Sequence, residues 1–170
     1  MAEIAVRPAE SSDVPLILRF IRALAVYERE PDAVAATEEA LLAHGFGPNP
    51  YYHCLIAELD GLPAGFAFYF FDYSTWIGKP GLYLEDLFVD PPFRGKGVGR
   101  ALLEHLARIA LERGCGRMKW EVLDWNQPAI DFYRAMGAEF LDEWRNVCLS
   151  GNSLKRLAGA EVPAVSEPAS

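Results

Sequence analysis

Six consecutive residues, Arg94-Gly95-Lys96-Gly97-Val98-Gly99, carry the strongest chemical signal in this sequence. Glycines at alternate positions leave backbone N–H groups unshielded. A helix opening directly after them adds the positive end of its dipole, and together they make a cradle for a phosphate or pyrophosphate. Arg94, Lys96 and Arg100 add side-chain charge. Two nucleotide loops that use the same physics do not fit. A Walker A loop needs glycine where Asp90 stands, and Ser or Thr after its lysine, where Gly97 stands. A dinucleotide fingerprint starting at Gly97 needs glycine or alanine where Leu102 stands. It also expects an acid about 20 residues on, a region that holds Arg117 and Lys119.

A second signal is the adjacent pair Glu85-Asp86 inside the apolar run Leu82 to Val89. Burying unpaired carboxylates is costly, so each needs a partner or a function. Strand alternation sends the pair to opposite faces unless a bulge intervenes. Glu28 poses the same question on a helix, because it continues the apolar face of Ile17, Phe20, Ile21 and Leu24. Tyr133 shares an apolar helix face with Ala129, Phe132 and Met136, where its plainer reading is a core tyrosine. His44, His53 and His105 show no metal-ligand spacing, and Cys54, Cys115 and Cys148 form no C-x-x-C pair. No metal site is expected.

The elements that must position these groups follow from periodicity and breakers. Ile4 to Val6, ended by Pro8, reads as a first strand. Ser11, Ser12 and Asp13 offer N-caps to the helix that carries Ile17. A short helix is expected over Glu38 to His44. Tyr52 to Leu59 and Pro63 to Phe71 read as strands joined at Asp60-Gly61, a hairpin signal. Leu82 to Val89 is a third strand, stopped by Pro91-Pro92. The helix after the glycine loop puts Val98, Leu102, Leu106 and Ile109 on one face, with Arg100, Glu104, Arg108 and Glu112 as an exposed i,i+4 ladder. Arg117 to Asp124 reads as a strand, Asn126 as the cap of a further helix ending near Gly137, and Glu143 to Leu149 as a closing strand. The order predicts a mixed α/β (α+β) domain around one sheet.

The length, 170 residues, suits one domain. Residues 1–158 read as that domain and 159–170, rich in Ala, Pro, Ser and Val, as a disordered tail. Charged residues sum to a net −8, with 24 Asp+Glu against 16 Lys+Arg. Phosphate-tracking proteins need a basic surface, so nucleic acid and anionic membranes are disfavoured as partners. No apolar run approaches the ~20 residues of a membrane span. The N-terminus lacks a charged leader with an apolar run behind it, and the cysteines suggest no disulfide framework. The sequence therefore reads as cytoplasmic.

The glycine loop, the strand before it and the amphipathic helix after it resemble the acetyl-coenzyme A loop of the GCN5-related N-acetyltransferase (GNAT) family. That family's pattern is Gln/Arg-x-x-Gly-x-Gly/Ala, and Arg94 to Gly99 fits each constrained position. Further stretches resemble the diamine (spermidine/spermine) N-acetyltransferase branch. They are Tyr83 to Val89, Trp76-Ile77-Gly78-Lys79, Tyr51 to Leu55, Trp125-Asn126-Gln127-Pro128, Tyr27-Glu28 and Gly45-Phe46-Gly47. The similarity runs from about Ile4 to Leu157.

The resemblance implies a GNAT fold, with a V-shaped splay between the strand ending near Val89 and the strand over 117–124, flanked by helices. It implies acetyl-CoA as co-substrate and no metal. Gly95 to Arg100, with Arg94, would hold the pyrophosphate, Leu87, Phe88 and Val89 the pantetheine, and Asn126, Ala129 and Tyr133 further parts of the coenzyme. Tyr133 would protonate the departing thiolate. Glu85 would act as base or substrate anchor, with Asp86 as a structural hydrogen-bonding residue. Physics asks for such a base: an amine with pKa ~10.4 costs about 4–5 kcal/mol to deprotonate at pH ~7.

Tyr27, Glu28, Trp76, Glu85 and Glu143 would line the acceptor pocket, with Asp124 and Asp142 adding acidity. The implied acceptor is a small cationic amine, and the implied assembly is a homodimer. A short hairpin at Asp60-Gly61, Gln127 in place of an acid and Lys96 in place of an aromatic depart from the polyamine pattern. The acceptor thus stays open between a polyamine and a lysine-like amino acid. A peptide or protein N-acetyltransferase and a non-catalytic acyl-CoA-binding module are the alternatives.

Overall fold

The computed structural model describes residues 2–164. By internal contacts the chain divides into two compact units, Met1–Asn126 and Gln127–Ser170.

The first unit is built on a five-stranded sheet in sequence order, β1 (Ile4–Pro8), β2 (His53–Leu59), β3 (Leu62–Ser74), β4 (Lys79–Val89) and β5 (Met118–Trp120). Neighbours are antiparallel except β4 and β5, which are parallel. The β2–β3 hairpin turns at Asp60-Gly61 as expected. Both residues have positive φ, 51° and 78°, which that tight turn demands.

Helix α1 (Val14–Tyr27) buries Ile17 and Phe20 completely, as its 3.6-residue periodicity requires. Phe20 stacks on Phe66 of β3 at 5.4 Å and tilts against Phe88 of β4 at 6.1 Å. Each such side chain contributes about 1.5–3 kcal/mol on leaving water. Cys54 and Ile56 of β2 and Leu41 of α2 (Glu38–Gly45) join the same cluster. Their strand neighbours Leu55 and Ala57 therefore face the other side, where α3 (Val98–Glu112) buries Val98, Leu102, Leu103 and Leu106.

The caps differ in detail from expectation. Ser11–Asp13 form a 3-10 turn before α1. The Asp13 carboxylate accepts from the Glu10 N–H at 2.7 Å and from Arg7 at 2.7 and 3.0 Å. That guanidinium holds the Asp13 carboxyl below its usual range. Thr37 caps α2 through the Ala40 N–H.

In the second unit α4 spans Gln127–Ala135 and α5 spans Gly151–Leu157. α4 buries Ile130 and Tyr133, and Gly137 takes φ 87° just past its end.

Two strand expectations need correction. The strand expected over 117–124 is only Met118–Trp120, since among the described residues β5 has a strand neighbour on its β4 side alone. The closing strand expected over Glu143–Leu149 does not form among the described residues. Its apolar side chains stay out, Val147 at 93% exposure. β propensity alone does not pair backbone groups, and no neighbouring strand supplies the ladder. Of the tail expected over 159–170, residues 165–170 lie outside the described residues.

Candidate active site

β4 is the platform of the site. Its parallel pairing with β5 covers only Leu82 to Leu84 against Met118 to Trp120. Beyond Leu84, β4 runs on to Val89 with no strand beside it on that edge among the described residues. This is the splay expected from the sequence, opened earlier because β5 is short. It leaves the edge of Leu87, Phe88 and Val89 available to hydrogen-bond an extended, amide-bearing ligand.

A bulge falls at the Glu85-Asp86 pair. Opposite β3, Phe68 pairs with Asp86 and Tyr69 with Leu84, so Glu85 is the extra residue. The alternation that would separate the two carboxylates is broken at that point. Glu85 is exposed and Asp86 partly buried. Asp86 lies two residues before Phe88, hence on the α1 side of the sheet. Glu28 caps the end of α1. Burial, the Glu85 charge and the Glu28 charge push the Asp86 carboxyl up to about 7. Burial also raises Glu28. The sequence made Asp86 the structural partner and Glu85 the chemical one. In the fold, burial and the neighbouring carboxylates raise the proton affinity of Asp86, which makes it a second candidate for proton transfer beside Glu85. The acid pair inside an apolar strand was the available signal.

After β4 the chain makes a 3-10 turn at Pro91–Phe93 and enters the glycine loop. Gly95 and Gly97 have φ of 72° and 88°. Neither position is crowded, since a Cβ would meet nothing at Gly95 and only ordinary contact at Gly97. Backbone conformation, not space, is the reason for glycine. Ala101 is bonded back to the Gly97 carbonyl at 3.0 Å, and the N–H groups before it are the orphan donors of the helix start. Lys96 is exposed at the loop. Arg100 is exposed too, but pairs with Glu104 at 2.8 Å.

Arg94 does something the sequence did not suggest. Its Nε donates to the Val89 carbonyl at 2.8 Å, and its guanidinium lies 4.8 Å from the Tyr27 ring and 5.5 Å from Phe88. The Tyr27 hydroxyl donates to the Asn126 side chain at 3.1 Å, and its ring tilts against Trp125 at 6.2 Å. Tyr27, Glu28, Glu85, Asp86, Arg94 and Asn126 thus gather at the C-terminal ends of α1 and β4. Trp76 is not gathered there. It sits 89% exposed between β3 and β4, nine positions from Glu85, about 30 Å if the chain were extended. Tyr133, Ala129 and Glu143 belong to the second unit, where Tyr133 is buried on α4 and Glu143 is exposed. Among the described residues no His/Cys/Asp/Glu cluster could hold a metal, and no helix is long and apolar enough to cross a membrane.

A family model for the acetyltransferase (GNAT) family matches residues 18–138. The chain belongs to the GNAT acetyltransferase family. Among its relatives is a thialysine N-epsilon-acetyltransferase of Bos taurus, 43% identical over 94% of this chain and 99% of the relative. An L-ornithine N5-acetyltransferase of Arabidopsis thaliana is 30% identical over 89% of this chain and 86% of its own length. Among solved structures, an integron cassette protein of V. cholerae has a TM-score of 0.75 at 28% identity and covers 92% of this chain and 98% of its own. An aminoglycoside N-acetyltransferase in complex with CoA shares the fold, with a TM-score of 0.66 at 24% identity, covering 89% of this chain and 96% of its own. The GNAT acetyltransferase described here is accordingly an enzyme on a mixed five-stranded sheet flanked by helices.

Proposed function

We propose that this GNAT acetyltransferase moves the acetyl group of acetyl-CoA directly to the primary amine of a small cationic acceptor, a diamine or lysine-like amino acid. The observation that carries the reading is the carboxyl cluster of Glu28, Glu85 and Asp86 beside the open edge of β4, with Asp86 raised to about 7. Such a cluster attracts an ammonium and can accept a proton near neutral pH. The names of the thialysine, ornithine and spermidine/spermine relatives agree with a small amine acceptor.

Acetyl-CoA fits the residues present. The positive-φ glycines at 95 and 97 and the orphan N–H groups before Ala101 suit its pyrophosphate. Leu87, Phe88 and Val89 suit its pantetheine amides, and Asn126, Ala129 and Tyr133 complete its side by resemblance. The coenzyme supplies an activated thioester carbonyl. On the chain's side, Glu28 and Glu85 hold the acceptor's ammonium, and Asp86 takes its proton. The freed nitrogen would form the new C–N bond as the C–S bond breaks, and by the family resemblance the Tyr133 hydroxyl would give its proton to the thiolate sulfur. Glu85 is read as the anchor and Asp86 as the base, because burial and the neighbouring carboxylates raise the Asp86 carboxyl to about 7.

The catalytic domain is read as residues 1–158; the family match covers residues 18–138, which run from the first unit into the start of the second. The enzyme is read as a cytoplasmic homodimer. Assembly would let the partner bring Trp76 and Glu143 to an acceptor pocket, and the exposed apolar residues Trp76 and Val147 support that. Thiol release from acetyl-CoA against diamines, lysine analogues and peptides tests the function. Turnover with the small amines is expected; turnover confined to peptides, or none, would refute it.

A further inference from the structure

We infer that Arg29 is a specificity-determining residue, which receives the carboxylate of an acceptor whose side-chain ammonium enters the Glu28–Asp86 cluster. The inference rests on the proposed function and deepens it: the favoured acceptor is an amino acid with a terminal amine, not a plain diamine or polyamine.

The backbone gives the first observation. α1 ends in a Schellman arrangement, with the Glu30 N–H bonded to the Ala25 carbonyl at 2.9 Å and the Arg29 N–H to the Val26 carbonyl at 3.1 Å. Arg29 occupies the left-handed position of that motif, at φ 65°. Glycine or asparagine is the usual occupant, and a longer L-residue is strained there. An arginine under that strain is an outlier that asks for a compensating role.

The side chain gives the second. The Arg29 guanidinium lies 4.0 Å from the Trp125 ring centroid. Stacking occupies the flat face of the guanidinium and leaves the N–H donors on its edge, in the fork that matches a carboxylate. Arg29 is exposed, and among the described residues no carboxylate pairs with it within ion-pair distance.

Position gives the third. Trp125 also meets Tyr27, whose hydroxyl bonds Asn126 and whose ring faces Arg94. The fixed cation is therefore one residue from Glu28, whose charge acts on Asp86. Opposite charges held this way match a zwitterion with a short aliphatic stem. A polyamine would meet repulsion where the amino acid meets attraction.

The experiment compares kcat/KM for L-lysine with that for cadaverine, which keeps the stem and lacks the carboxylate, in the wild-type enzyme, Arg29→Met and Arg29→Lys. Wild type is expected to prefer lysine. Arg29→Met keeps the stem over Trp125 and should lower the lysine-to-cadaverine ratio by about tenfold, mainly through KM, and Arg29→Lys should recover part of it. An unchanged ratio, or an equal fall for both acceptors, would make Arg29 a helix-end residue only and overturn the inference. Lysinamide with the unaltered enzyme makes the same test without a variant: a KM about tenfold above that of lysine is expected, and equal values would overturn it. Turnover with neither lysine nor cadaverine would instead refute the small-amine reading itself.

Discussion

Asp86 shows how a single residue's surroundings set its chemistry. Its carboxyl is raised from the usual 3.8 to about 7, by burial first and then by Glu85 and Glu28. Well below its unfolded value both states hold the proton, and the group costs nothing. As pH rises from about 4 to about 7 the unfolded chain releases the proton while the folded chain keeps it, so stability falls across that window. Asp86→Asn should flatten this fall, and thermal melts of both proteins between pH ~4 and ~8 check it. In activity, kcat/KM should rise with pH through about 7 as Asp86 ionises. The Asn variant should lose that limb and about 10²-fold in rate. Tyr133→Phe tests the other proton: kcat should fall by about 10²-fold or more, and a full rate across pH ~7–9 would remove Tyr133 from the thiolate step. The sequence held part of this. A Glu-Asp pair in an apolar strand announced a function, but which carboxylate is buried depends on a bulge that only the register with β3 reveals.

At the scale of elements, the glycine loop was legible because its requirement is local. Positive φ at Gly95 and Gly97 needs glycine whatever the rest of the chain does. Gly97→Ala should strain the loop by about 1–2 kcal/mol. It should raise the KM for acetyl-CoA by several-fold and shrink the thermal stabilisation that CoA gives; unchanged values for both would clear the loop of a phosphate role. The β2–β3 hairpin and helices α1 and α3 were legible for the same reason, a turn signal or an apolar stripe written in neighbouring residues. β5 and the segment over Glu143–Leu149 were not. Both read as strands, yet strand length depends on a partner elsewhere in the chain. Arg29 and Arg94 were equally hidden, because their roles come from rings on Trp125 and Tyr27 that distant segments supply.

For the whole molecule, the net charge of −8 excludes little by itself, and its placement matters more. The carboxylates of Glu28, Glu85 and Asp86 act on one another beside β4, while Arg94, Lys96 and Arg100 belong to the glycine loop and helix start that follow it. The fold class was legible from element order alone, five strands with an α3 crossover into a parallel pair. Assembly was not, because it depends on surfaces that meet a second chain. Sedimentation equilibrium should give twice the 18.9 kDa of the chain. A monomer would leave Trp76 without a route to the acceptor. The most direct measurement follows acetyl-CoA and an amine together, counting thiol released and identifying the amine product by mass spectrometry. One singly N-acetylated amine per thiol is expected, with lysine or a diamine as acceptor. Thiol release without an acetylated amine, or no release at all, would contradict it.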